Sequence, residues 1–158
     1  MSKYLRIVYM IAICLAIGFL GSRITQMTID TWYPTIEKPI FNPPNWVFAP
    51  VWTLLFILMG IAAGLVWNKL EENKEDVKKA MLFFIIQLLL NLLWSYLFFG
   101  LNNLLLAAIE IILLWLIIFE TFMLFKRINL KAGYLLIPYL AWVGFASILT
   151  ITIYILNY

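Results

Sequence analysis

Residues 32–67 read WYPTIEKPIFNPPNWVFAPVWTLLFILMGIAAGLVW, and this stretch decides the fold. Five of the chain's six prolines (Pro34, Pro39, Pro43, Pro44, Pro50) crowd its N-terminal part, where fixed φ angles and missing N–H groups exclude a regular helix or a paired strand. That part is a stiff connection. From about residue 45 the polar side chains vanish. The apolar run to Trp67 is long enough, at ~1.5 Å per residue, to cross the ~30 Å hydrocarbon core of a bilayer. A proline-braced aromatic loop therefore feeds directly into a membrane helix. Of the four tryptophans here, Trp46 and Trp67 sit at the two ends of the span, as an interfacial belt requires, whereas Trp52 lies about two turns inside and needs another reason.

The composition agrees with a membrane protein. Hydrophobic residues make up 65% of the chain and charged residues 12%, against about a quarter charged in soluble domains. There is no histidine, and the single cysteine, Cys14, lies in an apolar run. Disulfides, Cys/His metal clusters and histidine-based triads are excluded, so no metal site and no resident cofactor is expected. The net charge is only +3, with no basic stripe among exposed aromatics, so nucleic acid is not an expected partner.

Five spans are predicted, at about 5–27, 46–69, 80–100, 104–125 and 132–156. They would form one all-α membrane domain over 1–158, a five-helix bundle with the proline-rich loop as a lid between helices 1 and 2. The first apolar run follows Lys3 and Arg6 and could be read as the core of a signal peptide, but no A-x-A-like cleavage site follows it, so a first helix is preferred. The charged segment KLEENKEDVKKA (69–80) is read as a solvated turn. Pro50 is expected to bend or delay the second helix and Pro138 to kink the fifth near its start. An odd number of spans puts the termini on opposite sides. Lys3, Arg6, Lys69, Lys74, Lys78, Lys79, Lys126, Arg127 and Lys131 share one side; only Arg23 and Lys38 lie on the other. The positive-inside rule then puts the N-terminus in the cytoplasm and the C-terminus, with the lid, outside a bacterial cell membrane.

Polar groups inside a membrane helix are costly, so each needs a partner or a role. Gln87, Asn91, Trp94 (or Ser95) and Phe98 recur on one helical face, as do Tyr139, Trp142, Ala146 and Leu149. With Trp52 from the second helix, these faces would make a slot with flat aromatic walls, suited to a large, planar, mostly apolar molecule. Aromatic stripes in membrane bundles are more often packing, and spacing alone favours that. Against it stand Trp52, Trp94 and Trp142, all away from the ends of their spans, and a rigid lid that a purely structural bundle does not need. Glu110 and Glu120, about 80° apart around the fourth helix, are not a paired carboxylate site. Glu120 is expected to snorkel, and Glu110 to be protonated or hydrogen-bonded to a neighbouring helix. Gly60-x-x-x-Gly64 is a small-residue face for close packing, within the bundle or between the subunits of a homodimer.

The same stretch resembles the TspO family, the translocator proteins. The matching residues are Gly21-Ser22-Arg23, Trp32-Tyr33, Lys38-Pro39, Phe41, Pro43-Pro44, Trp46, Pro50-Val51-Trp52 and Met59-Gly60. Downstream they continue through Asn91, Trp94, Phe98-Phe99-Gly100, Ala107, Pro138-Tyr139-Leu140-Ala141-Trp142 and Phe145-Ala146, so nearly the whole chain is covered. The resemblance implies a five-helix membrane receptor that binds porphyrins, haem and isoquinoline-carboxamide ligands in a pocket beneath the first loop. By motif, that pocket takes Tyr33 and Pro43 from the loop, Trp46 and Trp52 from helix 2, Asn91, Trp94 and Phe98 from helix 3, and Trp142, Phe145 and Ala146 from helix 5. It further implies light- and oxygen-dependent degradation of protoporphyrin IX at a tryptophan pair matching Trp52 and Trp142, and a role in tetrapyrrole or oxidative stress. Radical chemistry at indoles needs no acid–base group, whereas a chain without histidine lacks haem iron's commonest axial ligand. The animal members' sterol-recognition pattern, which needs a basic residue after a tyrosine, is missing because none follows Tyr154. Ser95-Tyr96 replaces their diproline. Two other readings remain: a small transporter of porphyrin or another hydrophobic substrate, for which no inverted repeat or midplane helix break is visible, and a purely structural subunit.

Overall fold

The computed structural model describes all 158 residues, and they form helices and turns only. The helices are α1 (Lys3–Thr25), α2 (Asn45–Trp67), α3 (Lys74–Ser95) with a π-helical continuation (Tyr96–Gly100), α4 (Leu104–Ile128), α5 (Leu130–Leu135) and α6 (Ile137–Asn157). They make five spans long and apolar enough to cross a membrane, α5 and α6 together forming the fifth. The molecule is an all-α, multi-pass membrane bundle.

The ends of the helices follow local chemistry. Ser2, Asn103 and Asn129 each accept from a backbone N–H three residues on, capping α1, α4 and α5. Asn102 takes the left-handed conformation (φ 53°) that the tight α3–α4 turn needs. Two expectations are corrected here. The charged segment is a turn only as far as Asn73, and α3 begins at Lys74 instead of 80 because Glu75 and Asp76 favour the positive end of a helix. Nor does Pro50 delay α2, which runs unbroken from Asn45. The helix gives up only the bond from residue 50 to the Trp46 carbonyl. Pro138 does interrupt the last span, where α5 ends and α6 starts around Leu136.

Lipid offers no hydrophobic drive for helices to associate, so close packing must hold them together. The tightest approach joins α1 to α2. A Cβ placed on Gly60 would lie 2.4 Å from Ile11 Cα, and one on Gly64 2.5 Å from Ile7 Cα. The small-residue face is therefore consumed inside the bundle and is not free to serve a homodimer. Near the same end, Arg6 donates to the Trp67 carbonyl (3.0 Å) and pairs with Glu71 (2.8 Å), holding that carboxyl below its ordinary range. The central core draws on all five spans, most heavily on α2, α3 and α4, with Phe84 stacked on Phe125 at 5.6 Å. A second cluster forms under the lid, where buried Tyr33 meets Phe98, Phe99, Ala107, Leu149 and Ile153.

Candidate functional site: a lidded aromatic cavity

The loop 26–44 is tied down at three places. Thr28 Oγ1 donates to the Phe99 carbonyl (2.7 Å) at the end of α3. Asn157 at the end of α6 exchanges two hydrogen bonds with the Glu37 backbone, both 2.8 Å. Lys38 Nζ donates to the Tyr33 and Ile36 carbonyls (2.8 and 3.0 Å) and sits 4.6 Å from the Tyr33 ring centroid, bracing the loop on itself. Tyr33 is buried at the loop's turn of 3-10 helix, with its hydroxyl 3.2 Å from Asn42 Oδ1. Burial pushes its phenol up from the ordinary tyrosine range, with the Asn42 hydrogen bond working against the shift.

Beneath the lid is a cavity of about 570 Å³, within the range of small-molecule sites. It lies toward the lid side of the bundle, because the residues lining it come from the second halves of α1 and α3, the first half of α2 and the stretch of α6 from Trp142 to Ile153. Eight of the ten expected residues meet there: Tyr33 from the lid, Trp52 from α2, Asn91, Trp94 and Phe98 from α3, and Trp142, Phe145 and Ala146 from α6. Trp52 packs edge-on against Tyr139 (6.3 Å), and Phe48, one turn earlier, against Trp142 (6.3 Å). The two tryptophans thus lie on opposite sides of the antiparallel α2/α6 seam, offset by about one helical turn. Trp94 stacks on Phe98 at 4.9 Å to form a flat wall on α3.

Trp46 and Pro43 do not line the cavity. Trp46 lies six residues before Trp52, which is about 120° away around the helix, so both cannot face one pocket. It is 74% exposed on the outside of the bundle, where a tryptophan at the membrane interface belongs. Pro43 shapes the lid; its carbonyl accepts from Asn42 Nδ2 (3.3 Å).

The floor of the cavity is polar. Asn91 Nδ2 donates to the Tyr139 hydroxyl (2.8 Å), which donates to Gln87 Oε1 (2.6 Å). This is what the amide-bearing face of α3 is for: Gln87 and Tyr139 are fully buried, and Asn91 is the member that reaches the cavity. Its amide oxygen accepts no protein hydrogen bond, and the buried Trp94 Nε1 has none to donate to. Those two atoms give the walls one free acceptor and one free donor. Glu110 is buried (7% exposed), but neither carboxyl oxygen has a partner, so the expected bond to a neighbouring helix is not made.

Spacing arguments found three walls and missed the fourth. Gly18, Ser22 and Gln26 of α1 line the cavity too. Their signal was present as small and polar residues at i, i+4 and i+8 in an otherwise apolar helix. Ile111 and Leu114 of α4 also contribute, without any polar mark in the sequence.

Comparison with known proteins adds the following. A family model described as the TspO/MBR family matches residues 10–156. A tryptophan-rich protein TspO of Chlorobaculum tepidum is 45% identical over 156 residues, covering 99% of this chain and 98% of that protein. A tryptophan-rich protein TspO of Archaeoglobus fulgidus is 46% identical over 153 residues, covering 97% of each. The translocator protein of Bos taurus is 33% identical over 132 residues, covering 84% of this chain and 78% of the bovine one.

Proposed function

The chain belongs to the TspO/MBR family and is a membrane receptor of the TspO type, and from that premise we propose that its lidded cavity binds porphyrins such as protoporphyrin IX. Haem and isoquinoline carboxamides fall in the same chemical class of flat, mostly apolar ligands. The observation that carries this reading is the cavity itself: about 570 Å³, walled by stacked and edge-on aromatic rings and closed by a lid tied to α3 and α6. A macrocycle would lie against the Trp94–Phe98 wall, with the α2/α6 seam alongside. Asn91 Oδ1 and Trp94 Nε1 offer one acceptor and one donor to its polar atoms.

The second part of the proposal is light- and oxygen-dependent porphyrin degradation at Trp52 and Trp142. Light-excited porphyrin passes energy to dissolved oxygen. The oxygen species takes an electron from the indole of Trp52 or Trp142, and the indole radical takes one back from the macrocycle, so that oxygen is the net oxidant and the porphyrin is what is oxidised. No proton-transfer group is needed. A role in handling tetrapyrrole or oxidative stress follows, with the basic end of the bundle in the cytoplasm and the lid outside the cell membrane.

The experiment is a titration of purified protein with protoporphyrin IX, followed by tryptophan quenching in the dark and by the porphyrin bands under illumination. Wild type should quench saturably and bleach the bands to a new product, and Trp52→Phe with Trp142→Phe should bind without bleaching. A wild type that shows no saturable quenching removes the porphyrin reading, and a double variant that bleaches like wild type removes the tryptophan chemistry.

A further inference from the structure

The cavity does not end at the bundle's flank. Phe19 is 64% exposed on the outside of α1 and also lines the cavity, as do the exposed Ser22 and Gln26 beside it and Ala49 and Thr53 on α2. A wall made of residues that face both inside and outside is an opening. This one lies between α1 and α2 in the lid-side half of the membrane.

The packing explains why it opens there. The tight backbone contacts of α1 with α2 are Ile7 with Gly64 and Ile11 with Gly60, all at the end away from the lid. At Gly18 the atoms nearest to where a Cβ would stand belong to the Phe56 side chain and not to α2 backbone. The side-chain hydrogen bonds that link these two segments, Arg6 to the Trp67 carbonyl and Asn68 to the Lys3 carbonyl, are at that far end as well. Nothing of the kind bridges the seam on the lid side. The lid, by contrast, is fastened to α3 and to α6. Between a hydrogen-bonded lid and an unbridged seam, the seam is the easier path.

The rim has its own chemistry. Toward the lid it carries Ser22, Gln26 and Asn45; deeper in the membrane it carries Leu15 and Phe19. Ser22 and Gln26 side chains make no hydrogen bond within the protein, so at the lid-side end of the seam they are free to meet the polar part of a passing molecule. We infer that ligands reach the cavity sideways, from the lid-side half of the bilayer through the cleft between α1 and α2, and that the molecules admitted are flat amphiphiles already dissolved in the membrane. Their polar edge stays at the Ser22–Gln26–Asn45 rim while the apolar body slides past Phe19 and Ala49. This rests on the cavity being a ligand site and not on the ligand being a tetrapyrrole.

The test reads the path with a reagent, so it does not depend on the natural ligand. A single cysteine is placed on the cavity wall, Ala146→Cys in a Cys14→Ala background, and the protein is reconstituted in lipid vesicles. It is then labelled with N-(1-pyrenyl)maleimide delivered from the lipid, or with a sulfonated, membrane-impermeant methanethiosulfonate delivered from water. Labelling in SDS shows that the cysteine is competent. The lipid-borne reagent should react, and Ala49→Trp and Ser22→Trp, which narrow the cleft from opposite sides at exposed positions, should each slow it about tenfold or more. Asn157→Ala, which frees the lid from α6, should leave the rate within about twofold. Reaction with the water-borne reagent alone, unchanged rates in both tryptophan variants, or strong acceleration by Asn157→Ala would each overturn lateral access in favour of the lid. Failure of porphyrin to bind would change none of these rates.

Discussion

Gly60→Ala sets two effects of opposite sign against each other, and the structure says which wins. In a helix whose glycine faces lipid, alanine stabilises by up to about 1 kcal/mol, because glycine has the larger backbone entropy to lose. At Gly60 the new Cβ would stand 2.4 Å from Ile11 Cα and 2.7 Å from Ile11 N, against 3.4 Å and beyond for ordinary contact. The obstacle is backbone, so no rotamer change relieves it, and α1 must back away by about 1 Å along a tightly packed seam. Overpacking of this kind costs ~3 kcal/mol at its upper range, leaving a net loss of about 2 kcal/mol after the helix-propensity gain. Gly64→Ala should behave alike, its Cβ being 2.5 Å from Ile7 Cα. One withdrawal of α1 relieves both clashes, so the double variant should lose little more than either single one, a clear departure from additivity. Thermal unfolding in detergent or nanodiscs, followed by tryptophan fluorescence, should drop by roughly 4–8 °C for each single variant. A neutral or stabilised Gly60→Ala, or a full doubling in the pair, would refute the packing argument. A change in oligomeric state at constant melting temperature would return this face to a subunit contact.

Two further outcomes follow from the polar contacts. Tyr139→Phe removes the hydroxyl that accepts from Asn91 and donates to Gln87, leaving both buried amides short of a partner. It should cost about 1–2 kcal/mol by the same melting assay, and adding Gln87→Leu to Tyr139→Phe should recover part of that loss. The Arg6–Glu71 pair should make stability depend on pH in one direction only. Because Arg6 lowers the folded-state pKa of Glu71, its contribution is present above the ordinary carboxylate value near ~4.3 and is lost as pH falls below it. The melting difference between wild type and Glu71→Gln should therefore be constant from neutral pH to about 5.5 and vanish in more acid solution. A difference that grows toward low pH would contradict that sign.

Much of this arrangement was legible because membranes restrict what a sequence can do. Apolar runs of spanning length have one outcome, and a cluster of five prolines before one of them has few. The aromatic and amide faces of α3 and α6 could be written down from period alone, while Tyr33 and Phe145 were expected only from the family resemblance; eight of the ten residues so expected line one cavity. What stayed hidden depended on which face of a helix meets which neighbour. Trp46 and Trp52 are both tryptophans on α2, but only the rotation of that helix decides that one meets lipid and the other the cavity. Gly60 and Gly64 mark a close contact without saying with whom, and the answer, α1, is also what leaves the lid-side seam open. The α1 wall escaped although Gly18, Ser22 and Gln26 mark one face, because three small or polar residues near the end of an apolar helix do not say whether they border a void or the membrane surface. Lys74–Lys79 is helical although it reads as a wet loop, since charge reports exposure and not conformation.

The claim that most depends on all of this is that the lidded cavity is where the tetrapyrrole binds. Ala146 lies half-buried on its wall, and a larger side chain there can extend into the open volume. The decisive measurement is the protoporphyrin IX dissociation constant of Ala146→Phe beside wild type, by tryptophan quenching in the dark, with melting temperatures taken on the same samples. The account predicts binding weakened by about tenfold or more, roughly 1.4 kcal/mol, with the melting temperature held. Unchanged affinity in a properly folded Ala146→Phe would contradict it and move the ligand off this cavity.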